Sequence, residues 1–479
     1  MKRPIPQRLL TIIILTICVL ANLFIRQISL RADFSNGRAY SISPASKSIV
    51  KALPKPVVIT FFSSKNIPSA MLSVRQEIDD FLKEYSTQTG GKKITYLLVN
   101  PDTNTDAKQE LQSYNIPRLQ FSQQDQDQFA LQNAYFGIGI AYDGKHASLP
   151  QVTDIRDLEY NLTSVLYKLS VPSLPKVGVI GAPGDLTQLQ SLVAVSQSQF
   201  SIEETATASS EFNTLIVFGS DAKQYTQEET SQIQEYIERG GSVMFFVDGV
   251  TVNESLIPQD ASHGLFGLLR LFGVQLSKNL VLSRAAELVS FGVSDPSQAS
   301  LPTVLPYSYW IKTNEFAKES SLLSNVSVLV FPWGSSVEVS NKNGVLVKSE
   351  PQSWVETKDY NLSPQTQLAP KNVKEQSYPL VVSGTYGKGK FIVIPSTRLV
   401  QDGFLSRTND NMELVMNALS EYASGGIMSG IRSRSVEYYP LPQFTESTKN
   451  TIKYLQILVG PVAFAIVGLV VLIKRSRSK

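Results

Sequence analysis

The side chains that most often carry protein chemistry are scarce in this sequence. There is one cysteine, Cys18, and there are two histidines, His146 and His263. A thiolate activated by a neighbouring histidine would have to use Cys18, which lies inside an uncharged apolar run at residues 9–25. A lone cysteine also excludes a disulfide scaffold, a zinc ribbon and a dithiol redox centre. The two histidines stand 117 positions apart and form no metal-ligand spacing. Both read as surface or capping residues, His146 on a hairpin and His263 ahead of a helix. The sequence has neither a Gly-x-Ser-x-Gly nucleophile elbow nor a Gly-x-x-x-x-Gly-Lys-Ser/Thr phosphate loop. The run GTYGKG at 384–389 is flanked by two alternating strand patterns and reads as a hairpin turn. No catalytic residue, no metal and no cofactor is therefore expected.

What remains is a set of short glycine- and aspartate-bearing loops at the ends of apolar runs. They are Gly181, Gly184 and Asp185, then Ser220 and Asp221, then Asp248 and Gly249. Small residues let a backbone approach a ligand closely, and helix N-termini offer free N–H groups. If the preceding runs are neighbouring parallel strands, the three loops converge on one ligand-binding crevice. The plainer reading gives the same residues structural work. Asp185 caps a helix with Gln188 completing a capping box, and Asp221 and Asp248 are turn residues.

The elements that would position these loops read as two α/β units. In the second (177–423), apolar strands at 177–180, 215–218 and 243–247 alternate with helices, one running from the Asp185 loop to about 198. Thr226 and Glu229 fit a capping box, and Gly240-Gly241 ends the helix they begin. Such alternation predicts a parallel sheet with right-handed crossovers. Residues 285–376 are rich in Ser, Pro, Asn and Val and read as a β-rich insertion; 378–395 is a hairpin and 411–419 a helix. The first unit (26–170) opens with a helix capped by Ser43 with Pro44 behind it. Strands at 57–62, 94–99 and 116–121 alternate with helices at 71–85 and 107–114, with 123–128 as a polar loop, and 136–142, the turn 143–144 and 145–149 read as a strand and hairpin. A helix at 155–169 closes the unit. The order β-α-β-α-β-β-α is that of a thioredoxin-like layout. VPSLPK (171–176) marks the join between units.

Two apolar runs frame the chain. Residues 9–25 and 454–473 carry no charge, and each is long enough to cross a membrane as a helix. Lys2, Arg3 and Arg8 precede the first; Lys474, Arg475, Arg477 and Lys479 follow the second. This asymmetry places both tails (1–8 and 474–479) in the cytoplasm and 26–453 on the far side, with 424–453 as linker. A cleavable signal ending near Ala21 is the alternative for the first run. The full chain of 479 residues has net charge +3. Without those seven terminal cations, 37 basic residues face 41 acidic ones, which excludes an electrostatic footprint for nucleic acid. Gly460 and Gly468, with Ala463 and Ala465, would let a partner helix approach closely.

Several stretches together resemble a known family. They are RADFSNGRAYSISPASKSIVKAL (31–53), YFGIGIAYDGKHASLP (135–150), DLEYNLTSVLYKLS (157–170), FNTLIVFGSDAKQYTQEETSQIQEYIERGGSVMFFVDG (212–249) and GTYGKGKFIVIPSTRLVQD (384–402). In this order, between two terminal apolar runs, they look like the auxiliary, substrate-binding-like component of gliding-motility-type ABC transporters. The resemblance implies a class I glutamine-amidotransferase-like (Rossmann-like) second domain, and an ABC permease and a separate ATPase as partners in the cytoplasmic membrane. It further implies a non-catalytic subunit that binds substrate or couples the permease to envelope components. Relatives carry Gly-His-Gly-Glu where this chain has GAPGD (181–185), so a metal or acid–base role there is weakened. A membrane-anchored scaffold independent of transport is the alternative.

Overall fold

The computed structural model describes residues 41–431, apart from 91–92, 104, 126–127, 156, 185, 292–302, 319, 341–343, 364–372, 406–409 and 428–430, together with Lys453 and Gly468. The apolar runs 9–25 and 454–473 thus lie outside the described residues, Gly468 excepted, as do Asp185 and Gly460. Among the described residues no helix is long and apolar enough to cross a membrane.

The chain begins with α1 (Pro44–Ala52), β1 (Val57–Ser63), α2 (Ser69–Tyr85), β2 (Ile94–Val99), α3 (Thr105–Ser113), β3 (Arg118–Asp125), β4 (Gln128–Tyr142), β5 (Lys145–Leu149) and α4 (Leu158–Ser170). The sheet order is β2-β1-β4-β3, with β5 also on β4; β1 and β2 are parallel and the other pairs antiparallel. Ile78, Phe81, Leu82 and Tyr85 recur on one face of α2 and bury against Ile59, Phe61 and Phe136. Ser43 caps α1 as expected, its hydroxyl accepting from the Ser46 N–H. Its own N–H donates to the buried Glu159 carboxylate at 2.8 Å, and Ser46 Oγ donates to the same oxygen at 2.7 Å. The polar loop expected at 123–128 is instead the end of a hairpin, paired as far as Asp125 and Gln128. Its glutamine-rich sequence has no apolar alternation to mark a strand.

The second part continues with β6 (Lys176–Ile180), α5 (Gln190–Ser196), β7 (Ser201–Glu204), β8 (Thr214–Gly219), α6 (Gln227–Glu238), β9 (Ser242–Val247), β10 (Val250–Val252), β11 (Pro258–Asp260) and α7 (Phe266–Leu271). Then come β12 (Val274–Leu276), β13 (Leu280–Ser283), β14 (Ala286–Phe291), β15 (Thr303–Thr313), β16 (Glu315–Phe316), β17 (Leu329–Pro332), β18 (Val337–Val339), β19 (Gly344–Lys348), β20 (Ser353–Glu356), β21 (Pro379–Tyr386), β22 (Gly389–Ile394) and α8 (Asn411–Ser424). The main sheet has the order β16-β19-β21-β22-β9-β8-β6-β7. From β22 to β7 all pairs are parallel; from β16 to β22 all are antiparallel.

Both faces of this sheet are covered, so β8 and β9 are buried along their whole length. Alternate residues feed opposite layers. Met244 and Phe246 pack with Leu192 of α5 and Leu414, Val415 and Leu419 of α8. Val243, Phe245 and Val247 pack with Ile233 and Ile237 of α6 and Leu268 and Leu269 of α7. Residues 285–376 carry β14 to β20, of which β16 and β19 extend the main sheet while β14, β15 and β17 form a sheet of their own. One expectation is corrected here. The helix expected from the Asp185 loop starts only at Gln190. Pro183 has no N–H to donate, Gly184 (φ 59°) and Leu186 (φ 65°) are left-handed, and the Thr187 N–H closes on Gly184 O and the Leu189 N–H on Leu186 O.

Candidate functional site

The carboxyl ends of β6, β8 and β9 open into a cleft of about 660 Å³. The chain goes from β6 outward to β7 and then crosses back to β8 on the other side. That reversal leaves a crevice between diverging loops, the usual ligand position in open α/β sheets. Three sides follow the expected loops through Pro183, Ser220, Asp221 and Asp248. The fourth is built by the β10–β11 hairpin, with Thr251, Glu254 and Ile257, and by residues 397–404 beyond β22.

Asp248 ties these walls together. It is 8% exposed. The Thr397 N–H donates to its Oδ1 at 2.8 Å and the Thr397 hydroxyl to its Oδ2 at 2.6 Å. Burial pushes its carboxyl up to about 6, even though the two Thr397 bonds favour the ionised form. Its backbone carbonyl meets His263 Nε2 at 3.0 Å, while His263 Nδ1 accepts the Leu265 N–H at 3.2 Å. An accepting Nδ1 places the proton on Nε2, so the ring is neutral and donates to Asp248. Burial lowers its pKa accordingly. His263 is fully buried, which corrects the surface reading; the helix after it has Leu265 as its N-cap and no side-chain cap bond, so His263 holds the Leu265 N–H ahead of the helix rather than capping it. His146 is exposed on β5 and meets the Tyr114 ring edge-on.

Arg398 is the cation of the lining. Its Nη2 donates to the Val252 carbonyl, and its guanidinium lies 4.8 Å from the Trp333 ring centroid and 5.1 Å from that of Phe404. Such stacking holds a partly desolvated cation against the wall. Asp221 accepts from the Thr251 hydroxyl. Asp402 accepts the N–H groups of Gln190 and Ser191 at 2.8 and 2.9 Å, and its own N–H donates to Gln188 O at 2.9 Å.

These contacts revise the expectation that the helix N-termini offer free N–H groups to the crevice. The first N–H groups of α5 are taken by Asp402. At α6 the Thr226 hydroxyl accepts the Glu229 N–H, and the Glu229 carboxylate accepts the Thr226 N–H at 2.8 Å. The Lys223 ammonium, 2.7 Å away, and the Thr226 N–H hold the Glu229 carboxyl below its usual range. The capping box expected at Asp185 and Gln188 does not serve α5, which begins beyond Gln188.

Of the expected site residues, Ser220, Asp221 and Asp248 line the cleft. Gly181 and Gly249 shape the turns behind it. Gly181 is left-handed (φ 69°), and a Cβ there would meet Tyr225 Oη at 2.7 Å. The Gly249 N–H donates to Ser335 Oγ at 3.1 Å, and a Cβ would lie 2.1 Å from Ser277 O. Gly184 contributes the turn that Thr187 closes. Thr397, Arg398, Asp402 and Glu254 were not anticipated. The signal for the first three was the unbroken apolar run FIVI (391–394), which matches VMFFV (243–247) as a doubly covered parallel strand; Glu254 sits in the β10–β11 turn. Among the described residues no three His, Cys, Asp or Glu side chains are placed to hold a metal ion.

A family model described as an ABC-type uncharacterized transport system matches residues 174–418, and a domain of unknown function matches 36–141. An uncharacterized protein of Borreliella burgdorferi is 26% identical over 376 residues, covering 74% of this chain and 70% of that protein. Among solved structures, the mmIFT52 N-terminal domain is similar at a TM-score of 0.37 and 13% identity, over 52% of this chain and 98% of that one. A beta-galactosidase from Bacillus circulans is similar at a TM-score of 0.29 and 12% identity, over 58% of this chain and 37% of that one.

Proposed function

The chain belongs to the family of the ABC-type uncharacterized transport system, and on that premise we propose that it is a non-catalytic auxiliary subunit of such a system. In this reading the runs 9–25 and 454–473 anchor it in the cytoplasmic membrane, with both termini cytoplasmic. The body between them lies outside and works with a multi-span permease and a separate ATPase. The stretches quoted from its sequence resemble the gliding-motility-type members of such systems. Two membrane helices without ionisable residues are too few to line a transport path, so the path belongs to the partner.

The observation that carries the reading is the cleft at the carboxyl edge of the parallel strands. Its size suits a small ligand. The polar groups around it are engaged in holding its walls: Asp248 binds Thr397, Asp402 caps α5, and Arg398 is stacked between two rings. Walls fixed in this way support the reading of the cleft as a ligand site. Affinity purification of the full chain from native membranes in mild detergent tests the partnership. A permease and its ATPase should co-purify, and replacing Gly460 and Gly468 with Leu should reduce their recovery while leaving membrane insertion intact. Purification of the chain alone, even after cross-linking, overturns the reading.

A further inference from the structure

We propose that the cleft binds a small organic carboxylate, with the guanidinium of Arg398 as the group that receives the carboxylate oxygens. The proposal rests on the reading of the cleft as a ligand site and adds the class of ligand.

Charges withdrawn from water are normally paired, and Arg398 is not. It lines the cleft half-buried, where burial works against its charge. Among the described residues it forms no ion pair; Asp248 and Glu254 act on it only through space. One N–H, on Nη2, meets the Val252 carbonyl. The rest of the guanidinium fork has no acceptor among the described residues. Its position is nevertheless fixed, because the rings of Trp333 and Phe404 hold it at 4.8 and 5.1 Å. A held, partly dehydrated fork with open donors matches the two oxygens of a carboxylate. Asn253, beside Val252 in the same lining, adds a donor. Its Oδ1 accepts the N–H groups of Ser255 and Ile257 at 3.0 and 2.9 Å, and its Nδ2 has no partner among the described residues.

The lining also carries Asp221, Asp248, Glu254 and Asp402, and their surroundings decide which anion fits. Asp248 accepts two donors from Thr397, and Asp402 accepts two N–H groups of α5. Asp221 and Glu254 are exposed, where water and salt screen them. The guanidinium is thus the charge in the half-buried wall that lacks a counter-charge. One such cation among carboxylates balances a singly charged group, whereas a doubly charged phosphate would be opposed. Pro183, Val252, Ile257 and Phe404 supply apolar surface for the carbon part of the ligand.

The experiment is a fluorescence titration of the full-length protein in detergent with butyrate, with butyramide as its neutral counterpart and inorganic phosphate as the competing anion. The three tryptophans of the chain, Trp310, Trp333 and Trp354, pack in one cluster. Trp333 stacks on the guanidinium, so occupancy of the site reads out in their emission. Butyrate should give a saturable change, weaker as NaCl rises and at least about tenfold tighter than butyramide. Arg398→Gln should weaken butyrate at least about tenfold. Arg398→Lys, which keeps the charge and loses the fork, should fall between the two. Arg239→Gln, exposed just past α6, should bind like the parent and exclude general surface attraction. The assignment is overturned if butyrate does not saturate, if butyramide binds as tightly, or if butyrate binding ignores both Arg398 variants. Phosphate binding that exceeds butyrate binding and is lost in Arg398→Gln also overturns it, while leaving the cleft as a ligand site. Recovery of a permease and its ATPase with the same preparation decides the subunit reading separately.

Discussion

Asp248 shows how one buried carboxyl can make the molecule sensitive to pH. Its folded pKa of about 6 lies above the ordinary value of 3.8 because burial disfavours its charge. A carboxyl raised in this way contributes stability below about pH 4 that is lost as pH rises through 6. The parent should therefore lose on the order of 2–3 kcal/mol relative to Asp248→Asn between those limits, measured by urea unfolding at a series of pH values. Gly249 gives a simpler outcome. A methyl group at 2.1 Å from Ser277 O forces the backbone to move, so Gly249→Ala should lower stability by about 1–3 kcal/mol, read as a fall in melting temperature. Ser220, Asp221 and Asp248 were legible in the sequence because each closes an apolar strand. Arg398 and Asp402 were not, because their place depends on which strand lies beside β9. Asp248 and Thr397 are 149 residues apart, and no local pattern encodes that pairing.

Among elements, α5 is the one whose start is set from a distance. Asp402 satisfies two of its leading N–H groups, so Asp402→Ala should cost about 1–2 kcal/mol by chemical denaturation. Thr226→Ala, which opens the capping box of α6, should cost about 1 kcal/mol in the same measurement. A second pH response sits at α8. Burial, reinforced by nearby Asp410, pushes the Glu413 carboxyl up to about 7. Its contribution is likewise present below about pH 4.5 and lost as pH rises through 7, so Glu413→Gln should flatten the fall in melting temperature over that window. The strands of the parallel core and the α6 capping box were readable from apolar runs and Ser/Thr–Glu spacing. The region from β13 to β20 was not. Its strands are mostly three to six residues long and pair across loops, as β13 does with β20 and β12 with β18, so register there is decided by tertiary contact.

At the scale of the molecule, the near absence of cysteine makes the topology testable. In a Cys18→Ala background, Ser255→Cys, exposed in the β10–β11 turn, should react with a membrane-impermeant maleimide added to spheroplasts. A cysteine placed at Ser478 should react only after permeabilisation. Labelling of position 478 from outside would count against two anchors with cytoplasmic ends. The two α/β parts of the body are also joined directly, as Gln199 Nε2 donates to Tyr160 Oη and, at 3.3 Å, to Ser164 Oγ of α4. The sequence marked the join at 171–176 but gave no sign of these contacts, which link residues 35 and 39 positions apart.

The pairing of β22 with β9 has a consequence for the order of events in synthesis. These strands are adjacent and parallel, yet residues 248–388 are made between them. Until β22 emerges, β9 is an apolar edge without its neighbour, and the fourth wall of the cleft does not exist. Contacts this distant in sequence form slowly and leave exposed edges open to mispairing. A chain truncated before Gly389 should therefore aggregate rather than persist as a soluble fragment, and the cleft should be the last part of the body to become competent.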